Sequence, residues 1–183
     1  MNELGQLSMT NENIVDREQI LDQLMEDYSD GILHLSYTYV KNKVTAEDLT
    51  QEIFIKCYEN LGQFNQQATL KTWLYRIASN HCKDYLQSWH YRKITLNEKV
   101  WEYIPSKSKQ IEEKVIEKDE GDSLTEAVMA LPIKYREVVF LHYYQELTIA
   151  EISKVTAVNI NTLKTRLKRA RELLKDKIAK EDY

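Results

Sequence analysis

The sequence predicts an all-α protein: two small helical domains joined by a charged linker, the second containing a helix-turn-helix. Three observations carry this. The 183 residues include only 4 Gly and 2 Pro, too few breakers for the tight turns of an all-β fold. Apolar residues recur at spacings of three and four through most of the chain. Charge is segregated along it: residues 1–61 carry 4 basic and 12 acidic side chains, 62–93 carry 5 and 1, 94–147 carry 7 and 11, and 148–183 carry 9 and 5. The net charge of -4 and pI of about 5.7 exclude a histone-like polycation. Charge runs are ordinarily solvated helix faces, yet two basic islands on separate helices invite anion binding at both.

Residues 1–17 are polar and unperiodic, an N-terminal tail. From Arg17 to Val40 the positions Ile20, Leu21, Leu24, Tyr28, Ile32, Leu35 and Tyr39 mark an amphipathic helix that Gly31 could bend or interrupt. A second helix is expected over Ala46–Leu61, with Thr45 as N-cap, Asp48 at N3 and an inner stripe of Ala46, Leu49, Ile53, Cys57 and Leu61. After a polar loop around Phe64, a third helix over Leu70–Tyr91 is expected to turn Leu74, Ile77, Ala78, His81 and Tyr85 inward. Residues 94–122 lose periodicity, contain Pro105 and run into EEKVIEKDEGD, a charged linker.

Ser123 with Glu126 forms a capping box for a helix ending at Leu131, and Pro132 opens another over Ile133–Tyr144. Thr148 with Glu151 is a further box, starting a short helix through Thr156. Asn159 then caps a long basic helix, Ile160–Lys177. The domains are thus expected at residues 18–93 and 123–180.

The last two helices, separated by Ala157, Val158 and Asn159, have the layout of a helix-turn-helix whose second helix enters the major groove. Leu163, Leu167, Ala170 and Leu174 face inward, leaving Asn161, Thr162, Lys164, Thr165, Arg166, Lys168, Arg169 and Arg171 nearer solvent. Asn and Arg can read base edges, whereas Lys and Thr mostly hold phosphates. The plainer reading is a solubilised amphipathic helix.

In the first island Arg76, Asn80, Lys83 and Gln87 form one stripe, flanked by Lys71 and interleaved with Trp73, Tyr75, Trp89, His90 and Tyr91. Basic residues among aromatics suit an unpaired strand, whose bases stack on exposed rings; Trp73 taken singly fits a core position better. On the second helix Asp48, Gln51, Glu52, Ile55 and Glu59 make an acidic face with an isolated Ile, suited to protein docking or to plain solvation.

No catalytic motif, cofactor-binding loop or metal constellation is present. Cys57 and Cys82 stand 25 positions apart without a CxxC, so they read as small buried residues. The amino terminus lacks the pattern of a signal peptide, and no apolar run approaches the roughly 20 residues of a membrane span. A cytoplasmic protein without enzymatic activity is expected.

In this order the segments resemble the extracytoplasmic-function branch of the sigma-70 family, the dissociable promoter-recognition subunits of bacterial RNA polymerase. The resemblance spans about Glu18 to Lys177. AEDLTQEIFIKCYENL, Phe64 and LKTWLYRIASNHCKDYL carry it in the first domain; LPIKYREVVFLHYYQELTIAEIS and NTLKTRLKRAR carry it in the second.

The resemblance implies core polymerase as partner, gripped by Asp48, Gln51, Glu52 and Ile55. It implies promoter DNA at two places. Phe64, Lys71, Trp73, Arg76, Asn80, Lys83 and Gln87 correspond to the part that melts the minus-ten element and captures a flipped base, an extraction costing about a few kcal/mol. Asn161, Thr162, Lys164, Thr165, Arg166, Lys168 and Arg169 correspond to the reader of the minus-thirty-five duplex. An anti-sigma partner is also implied, with no membrane insertion and no obligate homo-oligomer. Against the family pattern, Gln87 stands where many relatives carry Arg, Ala157 where the turn usually has Gly, Ser153 for Ala and Asn161 for Gly. The alternative is a self-contained helix-turn-helix repressor or activator, which leaves the first domain without a role.

Overall fold

The computed structural model describes residues 11–64, 67–88 and 120–181, and all regular structure among them is helical. The helices are α1 (Asn11–Val40), α2 (Lys43–Asn60), α3 (Leu70–Gln87), α4 (Glu120–Met129), α5 (Ile133–Val139), α6 (Ile149–Thr156) and α7 (Ile160–Glu181). A 3-10 turn (Leu61–Gln63) follows α2, and a π-helical turn (Phe140–Tyr144) extends α5.

The expected stripes form the core of the first domain. Leu24, Ile32, Leu35 and Tyr39 of α1 meet Ala46, Leu49, Ile53, Phe54 and Cys57 of α2 and Leu74, Ala78 and Cys82 of α3, all buried. Each large aliphatic side chain so removed from water contributes about 1.5–3 kcal/mol. Both cysteines are buried free thiols, as expected.

Several boundaries differ. Helix α1 begins at Asn11, before Arg17, and passes through Gly31 unbroken. Asn42, not Thr45, caps α2, its side chain accepting from the Thr45 amide at 2.9 Å; an Asn three residues upstream takes that bond, so Thr45 lies within the first turn. Helix α3 ends at Gln87 with Ser88 as C-cap, and Trp89, His90 and Tyr91 lie outside the described residues. Its buried face is Thr72, Leu74, Tyr75, Ala78, Ser79 and Cys82, while the expected Ile77, His81 and Tyr85 are only half-buried. The rotation has a tertiary cause: α3 is covered by the second domain as well as by α1 and α2.

Helix α4 starts at Glu120, so Ser123 lies inside it and residues 120–122 belong to the helix, whereas residues 94–119 of the expected linker lie outside the described residues. Pro132 is the N-cap of α5. The expected helix over Ile133–Tyr144 changes its winding at Phe140: the Gln145 amide donates to the Phe140 carbonyl at 3.1 Å, five residues back. Such turns insert a residue without ending the helix and often lie at functional places.

Around α7 the expectations hold closely. Thr148 and Glu151 form a reciprocal capping box on α6, and the Asn159 side chain accepts from the Asn161 amide at 2.8 Å. Leu163, Leu167 and Ala170 are buried, and Leu174 is half-buried. The two domains pack directly on each other, α6 against α3 and α5 against α1, which the sequence pattern did not anticipate.

Candidate nucleic-acid and polymerase interfaces

Asp48, Gln51, Glu52 and Ile55 all lie on the exposed side of α2, and Ile55 is 59% exposed. The stripe Ala46, Leu49, Ile53 and Cys57 takes the opposite side, so helical periodicity alone puts these four outward. Beside them an apolar groove runs between α1 and α2, lined by Leu21, Met25, Phe54, Ile55 and Tyr58. The Glu52 carboxylate stands 2.6 Å from His81 Nε2, linking the acidic face of α2 to the basic helix α3.

The residues expected at an unpaired strand divide into two groups. Arg76, Asn80 and Gln87 are exposed, and Arg76 and Asn80 line an open polar groove between α2 and α3 together with Lys56, Asn60, Gln63 and Trp73. Phe64 packs on Trp73 with ring centroids 5.4 Å apart; both are half-buried, so each leaves part of its ring accessible. Lys71 and Lys83 turn the other way. The Lys71 ammonium donates to the Gln145 carbonyl at 2.7 Å, and the Lys83 ammonium is 2.9 Å from a Glu137 carboxylate oxygen.

That carboxylate is the feature sequence reasoning missed. Glu137, 3% exposed, accepts through the same oxygen from the Tyr39 and Ser79 hydroxyls, each at 2.5 Å. Burial foremost, with the adjacent carboxylate, holds the Tyr39 phenol well above its ordinary range, so it donates at every physiological pH. The available signal was a Tyr and a Ser on otherwise apolar inner faces, since buried polar groups require partners. A second polar contact lies nearby: the Tyr75 hydroxyl donates to the Gln145 side-chain oxygen at 2.5 Å.

On α7, Asn161, Thr162, Lys164, Thr165, Lys168 and Arg169 are exposed and Arg166 is half-buried. Thr162, Thr165, Arg166, Lys168 and Arg169 line a shallow groove with Lys134 and Tyr135 of α5. Arg169 also pairs with Glu172 at 2.9 Å, and this hydrogen bond raises its pKa further. The turn before α7 is tight: Ala157 takes the left-handed conformation at φ 55°, and the Ser153 hydroxyl donates to the Val158 carbonyl at 2.7 Å. An exposed basic helix behind a tight turn and a short helix can lie in a major groove.

Residues 24–90 match the family model for sigma-70 region 2, and residues 121–174 match that for sigma-70 region 4. The ECF RNA polymerase sigma factor SigW of Bacillus subtilis is 31% identical over 162 residues, covering 85% of this chain and 87% of the relative. This chain belongs to the extracytoplasmic-function branch of the sigma-70 family. Sigma factor SigV of the same organism is likewise 31% identical, over 89% of this chain and 93% of its own length. The sigma fold is also seen in solved structures: the sigma factor RpoE of Bartonella quintana, in complex with the anti-sigma factor NepR, superposes with a TM-score of 0.66 at 20% identity over 88% of this chain and 98% of that one. CnrH, in complex with the cytosolic domain of CnrY, gives 0.63 at 16% identity, covering 93% and 96%. This sigma factor is therefore an RNA polymerase specificity subunit with regions 2 and 4, and the self-contained repressor is not favoured.

Proposed function

We propose a division of the sigma function among particular surfaces, with the domains at residues 18–93 and 123–180. Asp48, Gln51, Glu52 and Ile55 bind core polymerase. Phe64, Lys71, Trp73, Arg76, Asn80, Lys83 and Gln87 engage the minus-ten element as it melts. Asn161, Thr162, Lys164, Thr165, Arg166, Lys168 and Arg169 read the minus-thirty-five duplex. The observation that supports this most is the presence on region 2 of two distinct surfaces that meet at Glu52 and His81, an acidic face bearing exposed Ile55 and a groove bearing Lys56, Arg76 and Asn80. A carboxylate-rich face repels phosphates and suits a protein, whereas the groove attracts them.

The factor acts in the cytoplasm without enzymatic activity of its own, supplying binding energy and leaving chemistry to core polymerase. An anti-sigma protein restrains it, as two structural relatives are seen bound to partners. Run-off transcription tests the reading: core polymerase plus this chain yields discrete promoter-dependent transcripts, and core polymerase alone does not. DNA binding by the chain with no transcript from any promoter would refute it.

A further inference from the structure

We propose that Arg17, near the start of α1, is a positioning residue for promoter melting: it seats the turn after α2 from which Phe64 reaches the minus-ten element. This rests on the assignment of Phe64 and its turn to that element.

Gly62 lies in the 3-10 turn that follows α2. No described glycine has a positive φ, so the backbone does not demand glycine at this position. The space does. A Cβ on Gly62 would collide with Arg17 Nη2 and stand 3.0 Å from its Cζ and 3.7 Å from its Nη1. All three atoms belong to the guanidinium, which therefore lies where the side chain of residue 62 would otherwise be.

The sequence around the turn shows why a guanidinium suits this place. The last turn of α2 carries no basic residue, although the outward carbonyls at a helix carboxyl end favour a cation. Helix α1 supplies one, because its start lies beside the end of α2, where Leu21 and Tyr58 line the same groove. Arg17 is half-buried, and arginine is more weakly hydrated than lysine and tolerates such a setting better.

The contact bears directly on the proposed strand site. Leu61, 8% exposed, anchors the first residue of the turn in the core, and the Phe64 amide closes the turn on the Leu61 carbonyl at 3.2 Å. Arg17 holds the residue between them. On either side of that grip, Asn60 and Gln63 line the polar groove with Arg76 and Asn80, and Phe64 packs on Trp73 at 5.4 Å. A displaced Gly62 carries these groups with it, so Arg17 acts on melting through the turn and not by touching DNA.

Holoenzyme assembled from core polymerase and the full chain tests this on a promoter found by run-off transcription, used as duplex and with its minus-ten element pre-melted by mismatches. Permanganate reactivity of thymines reads melting. Arg17→Ala and Gly62→Ala should each slow melting of the duplex roughly tenfold, since misplacement by about an ångström suffices for such losses. Core affinity, upstream duplex binding and helical circular dichroism should be retained. The double variant should be no worse than either single one, because Gly62→Ala already expels the guanidinium. Pre-melted template should recover transcription, which a misfolded chain would not do. Parental melting in both variants, additive losses, or no recovery on pre-melted template overturns the proposal. So does a fall of about 0.7 in the salt slope of single-strand binding by Arg17→Ala, which would make Arg17 a phosphate ligand. Phe64→Ala keeps the two readings apart: if it melts the duplex like the parent, the assignment of the turn has failed, and if it melts slowly while the Arg17 and Gly62 variants do not, only the positioning role has.

Discussion

The Ser153 hydroxyl donates to the Val158 carbonyl at 2.7 Å, across a turn in which Ala157 takes φ 55°. A left-handed alanine costs about 1–2 kcal/mol, and the hydroxyl bond returns about 0.5–1.5 kcal/mol. The two departures from the family pattern at this turn are therefore linked: serine supplies a tie where glycine is missing.

Ala157→Gly should raise the unfolding free energy by roughly 0.5 kcal/mol, since relief of strain exceeds the added freedom of the unfolded chain. Ser153→Ala should lower it by about 1 kcal/mol. Urea unfolding of both single variants and the double variant checks this, and non-additivity is expected between sites so close.

Glu151 accepts from the Thr148 hydroxyl and amide, and these two bonds, the hydroxyl first, lower its pKa below the usual carboxylate range. A depressed carboxylate stabilises the fold above its unfolded pKa and loses that contribution as pH falls through the folded value. Thr148→Ala should cost about 1 kcal/mol at neutral pH, and the difference from the parent should shrink under acid. Thermal melts at pH 7 and pH 3 measure it.

Burial pushes the Cys57 and Cys82 thiols up to about 12. Both stay protonated at neutral pH, so a maleimide should label neither until the protein unfolds. Because the unfolded thiols ionise first, near pH 9, stability should fall as pH rises from there toward 12. Labelling stoichiometry with and without denaturant, followed by mass spectrometry, checks the first point.

Reversing charge at Asp48 and Glu52 should weaken association with core polymerase while leaving the chain's affinity for upstream duplex unchanged. Competition between parent and variant for core polymerase, beside duplex binding by fluorescence anisotropy, separates the effects. Equal loss of both would contradict the division of surfaces.

Arg166→Ala should lower affinity for promoter duplex by about 1–3 kcal/mol and relax base preference at one position. Glu172→Gln should act oppositely: it frees Arg169 from its 2.9 Å pair and removes a negative charge beside the groove, steepening the salt dependence. Titrations of duplex at two salt concentrations measure both.

Much of the fold was legible because helical periodicity and caps are local. Leu163, Leu167 and Ala170 face inward for the reason their spacing gives, and Thr148 and Asn159 cap the helices they precede. Exposure was legible where it follows from a buried opposite face, as for Ile55 and Lys164. The contacts of Lys71 with the Gln145 carbonyl and of Lys83 with Glu137 were not legible, because periodicity gives a side chain's direction on its helix, not what arrives from a distant segment. Long flexible side chains then go to the nearest buried acceptor.

The sequence by itself determined the helices, their inner stripes, the helix-turn-helix and the family, since all depend on residues within about a turn of one another or on ordered motifs. Tertiary structure alone decided that Tyr39, Ser79 and Lys83 converge on Glu137, 98, 58 and 54 positions away in the chain. Such a network carries no periodic signal. It exists only where two domains exclude water and leave a carboxylate to be satisfied by whatever donors the facing surface provides.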